Sequence, residues 1–468
     1  MLAASTAHGQ IRNPGFEIND AAHPDQPADW EPVGDGGEMR LDASIKHDGE
    51  RSLRLQKKPG ATFTGVSQII DATPFRGKIV VLRGWMRGDD GDGLAGLSLR
   101  VDPAQPDHRT FVNDFRKPTA EWTRRQVILD IDARAQRIVF GARVLSSNGP
   151  IWVDSLEISE LDAASAKPLQ GAANDYLEEA LSIIRANALY ADTVDWPAAM
   201  ARAKLFASDA TTPAEAYAAV RQLLRALNDH HSLLLLPDDA NRMRENTSTD
   251  FGIASAVVAG KGYLRMPGLF GTNNTRTVGY ADDVAARVSK LRQAGACGWV
   301  IDLREDTGGN MDPMLAGLGA LLGDGTLGYR VGKTARDPWS LQRFYDETDT
   351  VPPTERALTG APVAVLTGPR TSSAGELVAI SFRGRPRTRF FGSPTSGQTT
   401  GNRAFTLSDG SMMGLAVSRG ADRTGRIYDG AITPDELIAT TEAGSVPADD
   451  PVVQAAVRWL DTQEPCRR

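Results

Sequence analysis

The apolar run Val363 to Leu366 leads within a few residues into Thr371-Ser372-Ser373-Ala374-Gly375-Glu376, and a second apolar run follows through Leu377 and Ile380. This pattern predicts a buried strand, a tight turn and a helix start. It leaves a serine hydroxyl at a helix N-terminus, where free backbone N–H groups and the macrodipole favour developing negative charge. Such a position suits a nucleophile. It also suits an N-cap, since Ser-Ser before Ala-Gly-Glu reads as a capping box, and the segment alone supports both uses.

A serine nucleophile near neutral pH needs a base within hydrogen-bond reach. The chain has six histidines: His8, His23, His47 and His108 fall in the first third, and only the adjacent His230 and His231 follow. This pair lies in Leu227-Asn228-Asp229-His230-His231-Ser232, after a helix opened by Thr212, Pro213 and Glu215 with an apolar stripe at Ala216, Val220, Leu223, Leu224 and Leu227. The alternative for the pair is to cap that helix's C-terminus. A third element, Ile301 to Asn310, ends the apolar run Gly298 to Leu303 with Gly308-Gly309 and precedes a Leu- and Ala-rich helix from Met314 to Leu322. Two glycines there can present unobstructed N–H groups to a ligand, or can simply make a turn.

The stretches LNDHHS (227–232), GYLRMP (262–267), IDLREDTGGN (301–310), TSSAGE (371–376), FFGSPTSGQTTGN (390–402) and YDGAITPD (428–435) occur in this order. Together they resemble the serine peptidase family that holds the C-terminal processing peptidases, the tricorn core protease and the interphotoreceptor retinoid-binding repeats, over roughly residues 173–468. The resemblance implies an α/β core of the ClpP/crotonase-like type, no cofactor and no metal. It implies Ser373 as nucleophile, His231 as base, and Gly308, Gly309 and Ala374 as oxyanion N–H donors. Glu376 and His230 are supporting candidates. One branch of the family pairs the serine with a lysine about 25 residues later; Gln398 stands there and no lysine follows Ser373. That places the chain in the tricorn-like histidine branch, where Asp429 takes the position of a late glutamate supporting the base, or is a turn residue before Gly430. Only 24 residues separate Pro237 from Gly262, too few for the PDZ domain that holds substrate tails in processing peptidases.

The first third reads differently. Short β-rich runs at Ser52–Leu55, Ile79–Trp85, Leu97–Val101, Arg125–Ile131, Ile138–Val144 and Ile151–Ile158 lie between Gly, Pro and Asp clusters, which predicts an antiparallel β-sandwich. NPGFE, RSLRLQ, LRGWMRG and IWVDSLEI resemble galactose-binding-like jelly-roll modules. In such a module Trp30, Trp85, Trp122 and Trp152 either stack on a glycan or belong to the core. The expected organisation is a leader stub (1–9), a sandwich (10–160), a linker (161–174), a helical part of the peptidase (175–245) and a catalytic core (246–468), closed by an amphipathic helix from Asp450 to Leu460.

At 468 residues the chain can bury several cores. A net charge of −7 without a basic run argues against nucleic acid, and no apolar run reaches a membrane span, so the sequence reads as soluble. The Ala-rich start suggests a leader and hence an extracytoplasmic location. Of the two cysteines, Cys297 precedes a buried strand and reads as a core thiol, with a disulfide to Cys466 as the alternative. The functional expectation is a serine peptidase acting on peptides or proteins. An esterase using the same site and a non-catalytic ligand- or glycan-binding protein are the alternatives.

Overall fold

The computed structural model describes residues 11–88, 93–104, 110–146, 149–162, 164, 166–350, 358–439 and 447–467, so the expected leader at 1–9 lies outside them, as do His8 and His108. The chain divides into two compact units: residues 1–181 with 195–223, and residues 182–194 with 224–468.

In the first unit ten strands form two antiparallel sheets: β1 (Glu31–Gly34), β2 (Gly37–Asp42), β3 (Ser52–Lys57), β4 (Thr64–Asp71), β5 (Ile79–Gly88), β6 (Leu94–Asp102), β7 (Phe111–Asn113), β8 (Thr123–Asp130), β9 (Arg137–Ser146) and β10 (Ile151–Leu161). Their orders are β1-β4-β9-β6-β7 and β2-β3-β10-β5-β8. Alternate residues such as Leu53 and Leu55, or Val127 and Leu129, enter the core between the sheets. Trp30 and Trp152 are buried and donate their indole N–H groups to Asn13 O and Asp42 Oδ2, at 2.9 and 2.8 Å. Half-buried Trp85 stacks on the His47 ring at 4.0 Å between centroids.

The linker is shorter than expected, because α1 (Gly171–Asn187) begins inside it and buries Leu177, Ala180 and Ile184. The helical segment does not go as one piece with the peptidase part. Helix α2 (Trp196–Phe206) and most of α3 (Pro213–Ala226) fall in the first unit. The Glu215 carboxylate accepts both N–H groups and both hydroxyls of Thr211 and Thr212, closing the N-terminus of α3.

The second unit holds a mixed sheet ordered β12 (Ala254–Val258), β13 (Lys261–Arg265), β14 (Trp299–Asp302), β17 (Val363–Thr367), β18 (Thr388–Gly392) and β22 (Glu436–Leu437), parallel from β13 onward. The crossovers include α5 (Asn274–Gln293), α6 (Met311–Gly317) and α9 (Ala374–Phe382). Because both faces of the sheet are covered, Val300, Ile301, Val363, Ala364, Val365 and Leu366 are wholly buried, which explains their unbroken apolar runs. A second sheet joins β11 (Leu233–Leu235) to β20 (Met412–Asp422), which also pairs with β19 (Thr400–Thr406). Helix α10 (Pro451–Asp461) is capped by Asp450, and buried Arg304 bridges Asp450 and Asp302 at 2.8 and 2.6 Å. Cys297 is not a free thiol: it forms a disulfide with Cys466, tying the start of β14 to the segment after α10.

Candidate active site

The turn between β17 and α9 carries Ser373 at φ 53°, ψ −117°, an unfavourable conformation for a residue with a Cβ. Three bonds hold the turn. Thr371 Oγ1 donates to Leu303 O at 2.9 Å, Ser372 N–H to Asp306 O at 2.9 Å, and Ser373 N–H to Glu376 Oε2 at 3.0 Å. The Glu376 carboxylate thereby closes the capping box expected at the start of α9, and the Ser373 hydroxyl faces His231 as well. Its oxygen lies 2.9 Å from His231 Nε2. This strained strand-to-helix turn is the geometry of a nucleophile elbow.

Glu376 is wholly buried and also accepts from Thr395 Oγ1, Ser396 Oγ and Gly397 N, so its carboxylate holds the loop before β19 against the serine turn. Burial pushes its pKa up, and these donors act against the shift.

His231 follows two residues in left-handed conformation, Asn228 (φ 54°) and His230 (φ 53°). Asp229 takes the N–H groups of His231 and Ser232 and the Ser232 hydroxyl. The imidazole is buried, and desolvation lowers its pKa to about 4, with Asp229 acting against the shift. Its Nδ1 lies 2.6 Å from Thr400 Oγ1. For Nε2 to accept from the serine hydroxyl, the ring proton must sit on Nδ1 and be donated to Thr400. Thr400 was not singled out from the sequence, although it sits inside the FFGSPTSGQTTGN stretch that resembled the family.

Two supporting expectations are corrected. Asp429 is not on the imidazole: half-exposed, it accepts from Tyr190 Oη at 3.1 Å and faces Arg419 at 3.7 Å. Exposed His230 contributes its carbonyl rather than its ring; Gln398 donates to that oxygen at 3.2 Å and accepts from the Ser372 hydroxyl at 2.8 Å. Gln398 thus links the histidine and serine turns.

The glycine loop lies directly against Ser373. A Cβ on Gly308 would stand 2.8 Å from Ser373 Cβ, and φ is 106° at Gly308 and 111° at Gly309, so a side chain is excluded on both counts. Gly308 does not offer its N–H as expected, because that group donates to Asp306 Oδ1 at 3.0 Å. The N–H groups of Gly309 and Ala374 have no acceptor among the described residues, and Ala374 opens α9. The arrangement therefore provides a hydroxyl, a neutral imidazole and two candidate donors for an oxyanion. No cluster of His, Cys, Asp and Glu among the described residues can hold a metal ion.

Peptidase family S41 matches residues 260–438. The nisin-resistance protein of Lactococcus lactis subsp. lactis is 28% identical over 293 residues, 62% of this chain and 87% of the relative. A carboxyl-terminal-processing protease of Synechocystis sp. is 27% identical over 180 residues, 38% of each chain. A lipoprotein from Streptococcus agalactiae shares the fold, with a TM-score of 0.51 at 22% identity over 62% of this chain and 97% of that one.

Proposed function

From the membership of residues 260–438 in peptidase family S41, a serine peptidase group, we infer that this chain hydrolyses peptide bonds with Ser373 as nucleophile and His231 as general base. The observation that carries the reading is the 2.9 Å approach of His231 Nε2 to Ser373 Oγ. Nε2 takes the hydroxyl proton as Oγ attacks the peptide carbonyl, and the N–H groups of Gly309 and Ala374 stabilise the oxyanion. As the C–N bond breaks, the imidazolium returns that proton to the leaving amine. Water, deprotonated by the same nitrogen, then releases the acid from the acyl-enzyme. Thr400 holds the imidazole in the tautomer this sequence of steps needs.

Peptides or proteins are the substrate class, which agrees with relatives named for carboxyl-terminal processing. An esterase would use the same groups, and kcat/KM on matched amide and ester substrates separates the two. The test is labelling with a fluorophosphonate and mass spectrometry of the modified peptide. Label on Ser373, lost with turnover in Ser373→Ala, supports the reading; label on Ser372, or full activity in Ser373→Ala, overturns it.

Glycan binding by the first unit is a second reading, favoured by a cavity of about 550 Å³ lined by Trp85, Arg116, Lys117, Arg124, Arg125, Glu215 and four threonines. An aromatic face with cations and hydroxyls fits a sugar carrying an acidic group. Titration with neutral and uronic-acid oligosaccharides, against Trp85→Ala, tests it. An extracytoplasmic location is consistent with the Cys297–Cys466 disulfide.

A further inference from the structure

Asp306 is wholly buried between the glycine loop and the first turn of α9. Its Oδ1 accepts the Gly308 N–H at 3.0 Å and its carbonyl the Ser372 N–H at 2.9 Å. A Cβ on Gly375 would stand 2.8 Å from the Asp306 carboxyl carbon, so α9 packs on this group closely enough to require a glycine. The second oxygen, Oδ2, is buried with no hydrogen-bond partner. One residue therefore touches both the loop that supplies an oxyanion donor, through its carboxyl, and the turn that carries the nucleophile, through its carbonyl.

Nothing around Asp306 suits an anion. Tyr280 of α5 faces it, but its hydroxyl donates to Pro267 O. On its own segment Arg304 is committed to Asp302 and Asp450, and Glu305 pairs with Arg370. Glu376, the carboxylate of α9, is committed to the loop before β19. A buried carboxylate with one N–H donor and no cation is costly, whereas the neutral acid in the same place avoids desolvating a charge and forgoes at most one O–H hydrogen bond.

We propose that Asp306 is a positioning residue that works as a neutral carboxylic acid, fixing the Gly308–Gly309 loop against the Ser373 turn, and that placing a charge on it disorganises the oxyanion site. The proposal rests on the Ser373–His231 reading and adds an alkaline limb to it. Burial raises the Asp306 pKa to about 8, consistent with a proton held at neutral pH. A new charge there would also sit 3.0 Å from the Gly308 nitrogen, on the backbone that abuts Ser373, and so would oppose the developing oxyanion.

The test is kcat from pH 5 to 9.5 for the full chain and for Asp306→Asn and Asp306→Ala, with folding checked at each pH. The expected results are a loss of tenfold or more in Asp306→Ala, recovery of most of that loss at pH 7 in Asp306→Asn, and a fall above about pH 8 in the unaltered chain that the Asn variant lacks. An alkaline fall that persists in Asp306→Asn, or an Asn variant as impaired as the Ala variant at every pH, overturns the proposal.

Thermal unfolding provides an arm independent of turnover. Since the folded pKa lies above the unfolded value, the unaltered chain should lose Tm relative to Asp306→Asn as pH rises from about 4 to about 8. Parallel Tm profiles also overturn the proposal. Absence of fluorophosphonate on Ser373 would overturn the Ser–His reading alone, so the two failures are distinguishable.

Discussion

His231 Nδ1 lies 2.6 Å from the Thr400 hydroxyl, so the imidazole facing Ser373 is oriented by a neutral side chain. A hydroxyl can fix the tautomer, but it gives less stabilisation to an imidazolium than a carboxylate would. Thr400→Val keeps the shape and leaves a buried N–H unpaired, at a cost of about 1–3 kcal/mol. We expect kcat to fall about 5- to 150-fold with little change in KM. Thr400→Ser should recover most of the loss, and equal kcat in Thr400→Val and the unaltered chain would remove threonine from the mechanism.

The burial that holds this ring sets the acid side of the pH profile. An ordinary histidine would give a limb at about pH 6 to 7. With the pKa depressed to about 4, kcat/KM should stay level down to about pH 5 and fall only near pH 4. The sign for stability follows: the folded state resists a proton that the unfolded state takes up, so stability present above about pH 6.5 is lost as pH falls toward 4. A limb at pH 6 to 7 in kcat/KM would contradict the depressed value.

Turnover should separate the adjacent histidines. His231→Ala removes the proposed base 2.9 Å from Ser373 and should cost several orders of magnitude. His230→Ala deletes an exposed ring but keeps the carbonyl that Gln398 uses, so a loss under about tenfold is expected. Equal losses would mean that the ring of His230 has a part in the chemistry.

Local patterns made the βα units readable: the unbroken apolar runs of β14 and β17 and the turn chemistry at 308–309 and 371–376 report on themselves. Five of the six β runs expected in the first third fall within strands and the sixth, Arg125–Ile131, overruns β8 by one residue, whereas β1, β2, β4 and β7 were not anticipated. Ser373 and His231 were legible because each sits on a turn with its own residue signature. What the sequence did not disclose is pairing at long range. Thr400 meets His231 across 169 positions, and Asp429 turns to Tyr190, 239 residues away. Such partners are chosen by how strands stack, and no local period encodes that.

The Cys297–Cys466 bond spans 169 residues, and loop-closure entropy puts its worth at about 5 kcal/mol as an upper figure. Cys297→Ser with Cys466→Ser should therefore lower the denaturant midpoint clearly. Activity at low temperature should persist, because neither cysteine touches the serine site. An unchanged midpoint would show that Arg304, Asp302 and Asp450 suffice to hold α10.

The division of the chain bears on where it can be cut. Residues 195–223 belong with the sandwich: Arg202 of α2 bonds to Asp130, Arg124 of the sandwich reaches Asp209 at 3.1 Å, and Gln126 donates to Glu215 O at 3.4 Å. Each exposed ion pair is worth about 0–1 kcal/mol, so these polar contacts together hold α2 and α3 by a few kcal/mol at most. A chain starting at Gly171 would keep every proposed catalytic group but leave those helices facing water. It should unfold at lower denaturant, bind a hydrophobic dye and lose more than about tenfold in turnover of a short fluorogenic peptide. A monodisperse, cooperatively folded product with undiminished turnover would instead place the functional boundary at the segment before α1, and make α2 and α3 part of the peptidase.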